Sequence, residues 1–164
     1  PAPVRSRGAV ISSTAIRQAI AEGDLRAAAA MLGRPFSLFG TVVHGDHRGR
    51  ELGFPTANLD LHHEAIPPDG VYATLAHLAS GECIPSLTYV GRRPTFARDD
   101  ADTAIEVHLI HTARDLYGCD LEVQFVKALR GDLRFPTPDA LIVQMQADLA
   151  AALAAIAAAR PSRT

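Results

Sequence analysis

The sequence predicts a mainly β domain, a closed antiparallel barrel with a helical hairpin before it and one helix after it. Between residues 36 and 134, short runs rich in Val, Ile, Thr, Phe and Tyr are separated by Gly, Pro and Asp. Five or six strands at this spacing favour a closed barrel. VYATLAHL and IEVHLI alternate apolar and polar residues, as strands with one buried face do. The chain has 164 residues, 48% of them hydrophobic, which is enough for one domain with its own core.

Cap residues predict the helical hairpin. Ser12 or Ser13 can cap a helix that ends at Gly23, and Asp24 can cap a second helix that ends at Gly33. Residues 1–10 are expected to form a flexible arm.

Thr137 and Pro138 predict the start of the last helix, because Thr is a good N-cap and Pro fits the first helical position. One face of this helix carries an apolar stripe at helical spacing. We expect the stripe to pack on the barrel rather than to bind a cofactor; it consists of Leu141, Met145, Leu149 and Leu153.

The composition argues against several classes of protein. A net charge of −2, 5% aromatic residues and the absence of Trp disfavour a barrel that binds nucleic acid. Cys83 and Cys119 are far apart, so neither a disulfide framework nor a zinc cluster is expected. We expect two reduced, partly buried thiols. We expect no apolar run to approach the ~18 residues of a membrane span, so a cytoplasmic protein without a membrane partner is predicted.

The stretch GDHRGRELGFPTANL, residues 45–59, combines flexibility with positive charge. Gly45, Gly49 and Gly53 let the backbone approach a ligand closely, and exposed N–H groups in such a loop attract anions. Arg48 and Arg50 add forked donors suited to phosphate. Taken alone, these residues are more typical of a mobile hairpin turn than of a ligand-binding loop.

The end of the same stretch adds oxygen ligands. In an extended segment, Thr56 and Asn58 point to one side and Ala57 points to the other. A hydroxyl and an amide carbonyl suit Mg²⁺, which also takes waters and phosphate oxygens. A loop that attracts phosphate beside such a site indicates ATP or a similar nucleotide.

These residues resemble the signature of riboflavin kinases, in particular the C-terminal kinase module of bacterial bifunctional riboflavin kinase/FMN adenylyltransferases (FAD synthetases). The resemblance covers about residues 36–150. It implies a six-stranded Greek-key barrel with a C-terminal helix. It also rests on DGVYA at 69–73, VGRRPTF at 90–96, IEVHL at 105–109, DLYG at 115–118 and DALIVQMQAD at 139–148.

The N-terminal part resembles the other half of the same enzymes. ISSTAIR, residues 11–17, is similar to a motif near the end of the adenylyltransferase module. The resemblance therefore implies a remnant of that module and a linker at 1–35, and a riboflavin kinase domain at 36–160. The rest of the adenylyltransferase module would be a missing partner, and we expect residues 1–35 to be mobile or packed loosely without it.

The resemblance implies that ATP phosphorylates the 5′-hydroxyl of riboflavin to give FMN and ADP. Glu106 matches the family's catalytic base, although a solvated strand glutamate is the alternative reading of the residue itself. Thr56 and Asn58 match the Mg²⁺ and phosphate ligands, with Asn58 also beside the flavin. Gly45 and Arg50 match positions of the phosphate loop.

Two further groups follow from the resemblance, with ordinary packing at the barrel end as the alternative. Leu109, His111 and Tyr117 match the adenine side of the ATP site, whereas the flavin side is matched by Arg130, Leu133 and Phe135. His108 shares a face with Glu106, so it is either a hydrogen-bonding partner of that residue or a structural histidine.

Tyr89 and Asp132 depart from the family's commonest pattern, in which Asn and Glu are usual at these positions. A second function stays open beside the kinase. The chain could be a non-catalytic flavin- or nucleotide-binding fragment that needs the missing module, whose parent would also convert FMN to FAD.

Overall fold

The computed structural model describes residues 5–6, 9–45, 53–61, 65–92, 103–112 and 114–159. Six of its strands close into an antiparallel barrel, which confirms the predicted fold class. Two-residue strands also pair within the N-terminal segment that was expected to be a flexible arm; they are β1 (Arg5–Ser6) and β2 (Ala9–Val10). The barrel strands are β3 (Ser37–Val43), β4 (Ala57–Leu61), β5 (Gly70–Leu78), β6 (Cys83–Arg92), β7 (Thr103–Leu109) and β8 (Asp120–Gly131).

The strand order around the barrel is β3-β4-β7-β6-β5-β8, and β8 pairs with β3 to close it. Strands β5, β6 and β7 follow one another as neighbours, and β8 returns to lie beside β5. This is the Greek-key arrangement. The order places β7 between β4 and β6, so the segment around Thr56 lies next to the strand that carries Glu106.

The barrel strands are buried on one or both sides, depending on what covers them. On β7, Ile105, Val107 and Leu109 point into the barrel core, and Glu106 and His108 alternate with them as half-buried residues. Strand β5 departs from the predicted half-buried pattern, because Val71 on its outer face is buried in a second apolar cluster. The last helix forms the other side of that cluster.

Helices α1 (Ser13–Ala21) and α2 (Leu25–Leu32) form the predicted hairpin. The Ser12 and Asp24 side chains accept hydrogen bonds from the first turns, and Gly33 ends α2 in the left-handed conformation. The hairpin packs closely, since Ile20 and Ala28 are buried in the same cluster as the barrel interior. The expectation of loose packing therefore does not hold for α1 and α2.

Helix α3 (Pro138–Ala159) begins as predicted, with the Thr137 hydroxyl accepting from the backbone N–H of Ala140. One face packs on the outer wall of the barrel and buries Ala152 and Ile156. By length and composition alone, α3 could cross a membrane, so the expectation that no apolar run approaches that length is wrong. One such helix is weak evidence for a span, because helices that pack on a protein core pass the same test.

The two cysteines are free thiols, as expected, but both are exposed rather than partly buried. Cys83 begins β6, and Cys119 lies directly before β8. Both therefore lie at strand ends, where turns leave side chains uncovered.

Candidate functional site

Two cavities meet at Thr56, which lines both of them. The first, here called the mouth cavity, has a volume of about 300 Å³ and opens at one end of the barrel. The second, here called the wall cavity, has a volume of about 330 Å³ and lies between the outer barrel wall and α3. Each is large enough to enclose part of a ligand of drug size.

The mouth cavity is lined by three short chain segments, at 42–45, 55–58 and 112–117, together with Val107 and Leu109 of β7. Gly45 and Asn58 touch at its rim: a Cβ on residue 45 would overlap the Asn58 side-chain amide. Only glycine at position 45 leaves that amide in place, and Asn58 is buried, with 8% exposure.

An aromatic stack stands at the edge of the mouth cavity. The rings of His44 and Tyr117 are nearly parallel, with centroids 3.7 Å apart. Tyr117 is more than half exposed. Flat apolar surface of this kind suits a flat ring of a ligand.

The wall cavity is mostly apolar and draws on β5, β6, β7, β8, the connection after β8, and α3. Leu133, Phe135, Leu141 and Met145 supply much of its apolar lining. The predicted stripe of α3 therefore divides: Leu141 and Met145 face this cavity, whereas Leu149 and Leu153 pack on the barrel as expected.

A buried ion pair forms one side of the wall cavity. Nε and an Nη of Arg130 donate to the Asp148 carboxylate at 3.0 and 2.8 Å, and Gln144 donates to the same carboxylate at 2.9 Å. Asp148 is only 4% exposed. The Arg130 guanidinium lies 5.6 Å from the centroid of the Phe135 ring, within the range of a cation–π contact.

Tyr89 stands on the other side of the wall cavity, opposite Glu106 in the register of β6 and β7. Its hydroxyl donates to Asp132 at 3.3 Å, so the two departures from the family pattern contact each other. Burial, with the Asp132 carboxylate beside it, raises the pKa of Tyr89 above its usual value. The hydroxyl is therefore protonated and able to donate at neutral pH.

The two cavities are joined by a contact between side chains. The Thr56 hydroxyl donates to Glu106 Oε2 at 3.3 Å, and Asn58 is the register partner of Glu106 across β4 and β7. A carboxylate, a hydroxyl and an amide thus come together at the point where the cavities meet. This arrangement can accept a proton on the wall side and bind a polar ligand on the mouth side.

Most of the predicted site residues divide between the cavities. Gly45, Thr56, Asn58, Leu109 and Tyr117 line the mouth cavity. Thr56 also lines the wall cavity, together with Glu106, Arg130, Leu133 and Phe135. The structure thus brings most of the predicted ATP residues to one side of Glu106 and most of the predicted flavin residues to the other.

For three predicted site residues, the structure does not show the expected placement. His111 lies in an exposed turn with a positive φ of 59° and is not among the residues that line either cavity. Asn58, predicted on the flavin side as well, lines the mouth cavity alone. Arg50 lies outside the described residues, as do Arg48 and Gly49.

Sequence reasoning gave no site role to several lining residues. In the mouth cavity these include His44, Thr112, Arg114 and Asp115. In the wall cavity, the available signal was Asp148, a carboxylate that interrupts the apolar face of α3, because buried carboxylates are rare unless they are paired. No local pattern indicates its partner, since Arg130 lies on β8.

Comparisons with known proteins identify the family. The family model for flavokinase, or riboflavin kinase, matches residues 32–156. The bifunctional riboflavin kinase/FMN adenylyltransferase of Haemophilus influenzae is 43% identical over 88% of this chain, and its Escherichia coli K12 counterpart is 43% identical over 86%. The chain spans less than half the length of these relatives, 46% and 44%.

Solved structures show the same fold. A Streptococcus pneumoniae structure described as a macrolide-efflux protein has a TM-score of 0.82 and 36% identity, covering 92% of this chain and 49% of that one. The riboflavin kinase of Trypanosoma brucei has a TM-score of 0.52 at 22% identity, over 73% of this chain and 78% of that one, and shows likeness of fold alone. On the family match and the two bacterial relatives, the chain belongs to the riboflavin kinase family.

Proposed function

We propose that this chain transfers the γ-phosphate of ATP to the 5′-hydroxyl of riboflavin and so produces FMN and ADP. The observation that carries the proposal is the meeting of two cavities at Thr56 and Glu106. Phosphate transfer between two substrates needs two binding sites whose reactive ends converge and a group that accepts the hydroxyl proton. The family supplies the identity of the substrates.

The mouth cavity is the ATP site in this proposal. The adenine would lie toward Leu109 and Tyr117, and the phosphates toward Gly45 and Thr56. Arg50 is proposed as a phosphate ligand on the family resemblance alone. The same resemblance proposes His111 on the adenine side, although its exposed turn lies outside the cavity lining.

Thr56 and Asn58 fit a Mg²⁺ ion that is carried by the nucleotide. Both offer neutral oxygen atoms at the rim of the mouth cavity, and no cluster of three His, Cys, Asp or Glu side chains suited to a metal occurs in the described part of the chain. Mg²⁺ with few protein ligands takes the rest from phosphate and water. When bound, it would neutralise charge on the transferred phosphate.

Glu106 is the proposed general base. It lines the wall cavity at the junction, and the Thr56 hydroxyl holds it there. Its carboxylate would take the proton of the riboflavin 5′-hydroxyl as that oxygen attacks the γ-phosphate. Because the Thr56 hydroxyl donates a hydrogen bond to Glu106, the lone pairs of its oxygen stay available to a ligand in the mouth cavity.

The wall cavity is the proposed flavin site. An apolar slot with a few polar groups suits a flat heteroaromatic ring, and Leu133, Phe135 and Arg130 provide both. The family resemblance also places Asn58 beside the flavin, near the reacting end. The ribityl chain would then run past Glu106 toward the junction.

The whole protein's activities are proposed from the relatives. Both bacterial relatives are named as bifunctional, with an FMN adenylyltransferase activity. We infer that residues 1–35 are the end of such a module and its linker, that the module is the partner of this domain, and that the protein is cytoplasmic.

FMN formation from riboflavin and Mg-ATP, followed by chromatography, tests the function. Glu106→Gln should lower the turnover number by about 10²–10⁴-fold and leave the binding of ADP and riboflavin intact. Glu122→Gln is the matched control, because Glu122 is another half-buried strand glutamate, hydrogen-bonded to Ser37 and absent from the lining of both cavities.

The alternative function gives a different result. A binding fragment that needs the missing module would bind flavin or nucleotide but make no FMN, with or without Glu106→Gln. FMN from the parent chain and from Glu106→Gln at equal rates would instead exclude Glu106 as the base.

A further inference from the structure

The segment that carries Thr56 is attached to β7 by few backbone contacts. Among the described residues, β4 and β7 share two register pairs, Ala57 with Val107 and Asn58 with Glu106. Pro55 has no backbone N–H and cannot donate to a neighbouring strand. The hydrogen-bonded ladder thus begins at Ala57 and does not include Thr56, the residue that joins the two cavities.

The side chain of His108 ties the chain down beyond the end of this ladder. Its Nδ1 lies 2.8 Å from the backbone oxygen of Pro55. A carbonyl oxygen can only accept, so Nδ1 must carry the proton and donate. The ring is fixed from a second direction by Phe54, whose centroid lies 5.6 Å away in an edge-on contact.

His108 also shares its strand face with the proposed base. Glu106 and His108 are two residues apart on β7, so their side chains leave the same side of the sheet. Both line the wall cavity. One rigid strand therefore holds Glu106 directly and Thr56 indirectly, through Pro55.

We propose that His108 is a positioning residue for phosphate transfer, which fixes Pro55 and thereby sets Thr56 against Glu106 and the phosphates. The proposal rests on the proposed function. The bond from Thr56 to Glu106 is already long for two oxygen atoms, at 3.3 Å. A displacement of a few tenths of an ångström at Pro55 would break it.

This assignment differs from both readings that the sequence left open, a hydrogen-bonding partner of Glu106 and a purely structural histidine. Within the described residues, the side-chain hydrogen bond of His108 runs to Pro55 and not to Glu106. The histidine is therefore neither the direct partner of the base nor remote from the site.

A matched pair of variants separates positioning from packing. In His108→Asn, the side-chain amide nitrogen stands at the same distance along the chain as Nδ1 and can still donate to Pro55. His108→Leu has the same branching without a donor. The two variants remove the same ring and differ in one hydrogen bond.

We expect His108→Leu to lower the turnover number about 10- to 100-fold and to weaken Mg-ADP binding, since small misplacements of reacting groups have effects of this size. His108→Asn should stay within about threefold of the parent in both. Riboflavin affinity, measured by flavin fluorescence, should differ little between the two variants, because both have lost the imidazole from the wall cavity.

Thermal unfolding of both variants serves as the folding control. A purely structural histidine would lower the melting temperature of His108→Leu without separating it from His108→Asn in turnover at saturating substrates, and that result would overturn the proposal. So would equal turnover in His108→Leu and the parent.

The test also distinguishes failure of the His108 proposal from failure of the proposed function. If the parent chain makes no FMN, the kinase proposal fails. Calorimetry can then still compare the Mg-ADP affinities of His108→Asn and His108→Leu. Equal Mg-ADP affinity in the two variants, or no Mg-ADP binding by the parent, overturns the role of His108.

Discussion

The mouth cavity and the wall cavity meet at Thr56, yet they are held in different ways. In the mouth cavity, the backbone at Gly45 lies close against the Asn58 side chain. Most of its lining comes from three short continuous segments of the chain. The wall cavity depends on side chains brought together from four strands and a helix, with Arg130 and Asp148 buried between them. The difference predicts that damage to one cavity should leave ligand binding in the other largely intact.

The largest effect is expected from the ion pair of the wall cavity. Asp148→Leu leaves the Arg130 guanidinium partly buried without its carboxylate, which should cost roughly 3–5 kcal/mol of unfolding free energy. For a domain of this size the melting temperature should fall by roughly 10 °C. Calorimetry measures this loss, and riboflavin affinity should fall with it while Mg-ADP affinity changes far less.

A double variant shows which part of that effect concerns the flavin. In Arg130→Met/Asp148→Leu, apolar groups replace both charges, and such replacements often restore stability. We expect the melting temperature to recover and riboflavin affinity to stay low, because Phe135 has lost the guanidinium beside it. Recovery of both would show that the ion pair supports the fold and not the flavin site.

The second effect concerns the mouth cavity. Gly45→Ala places a methyl group on the Asn58 amide, so Asn58 must move away from the junction. We expect the binding free energy of Mg-ADP to weaken by roughly 1–3 kcal/mol, which raises its dissociation constant about 5- to 150-fold. Riboflavin affinity should change far less, because Asn58 lines the mouth cavity and is not among the residues that line the wall cavity. Parallel titrations with both ligands measure the two effects.

Gly131→Ala is the matched control for that substitution. A methyl group at Gly131 meets nothing within 4 Å, so the same change in composition should leave Mg-ADP affinity within about twofold. If Gly45→Ala weakens both ligands equally, the two cavities are coupled more tightly than their separate construction indicates.

The same contrast explains how far the site could be predicted from sequence. Thr56 and Asn58 are two residues apart, so strand geometry alone brings them together. The distant segment at 112–117 entered the prediction only through the family resemblance, at Tyr117. Arg130 and Asp148 lie on β8 and α3, and their contact depends on how α3 packs. Sequence spacing carries no information on that packing, although the N-cap and the start of α3 were predicted correctly.

The fold was predicted for a related reason. Strand periodicity and turn residues are local properties, so they indicated five or six strands, and the family resemblance implied six. Burial of β5 on both faces depends on α3 as a cover. The apolar stripe of α3 indicated that this helix packs on the barrel but not on which strands, and the close packing of α1 and α2 has no local signal. Tyr89 and Asp132 likewise stand out in the sequence as departures from the family's pattern, but only the structure shows that their side chains are hydrogen-bonded.

The smallest effect is expected from that last contact. Tyr89→Phe removes a partly exposed hydrogen bond of 3.3 Å to Asp132, and such bonds contribute about 0.5–1.5 kcal/mol. Riboflavin affinity should fall only a few-fold, because the bond restrains the connection that carries Leu133. Tyr72→Phe is the control: it loses a hydroxyl that bonds to Pro68, so stability should fall while riboflavin affinity stays the same. A loss of more than tenfold in turnover with both substrates saturating would contradict this limited role. It would assign the phenol, which stands opposite Glu106 in the register, a part in the reaction itself.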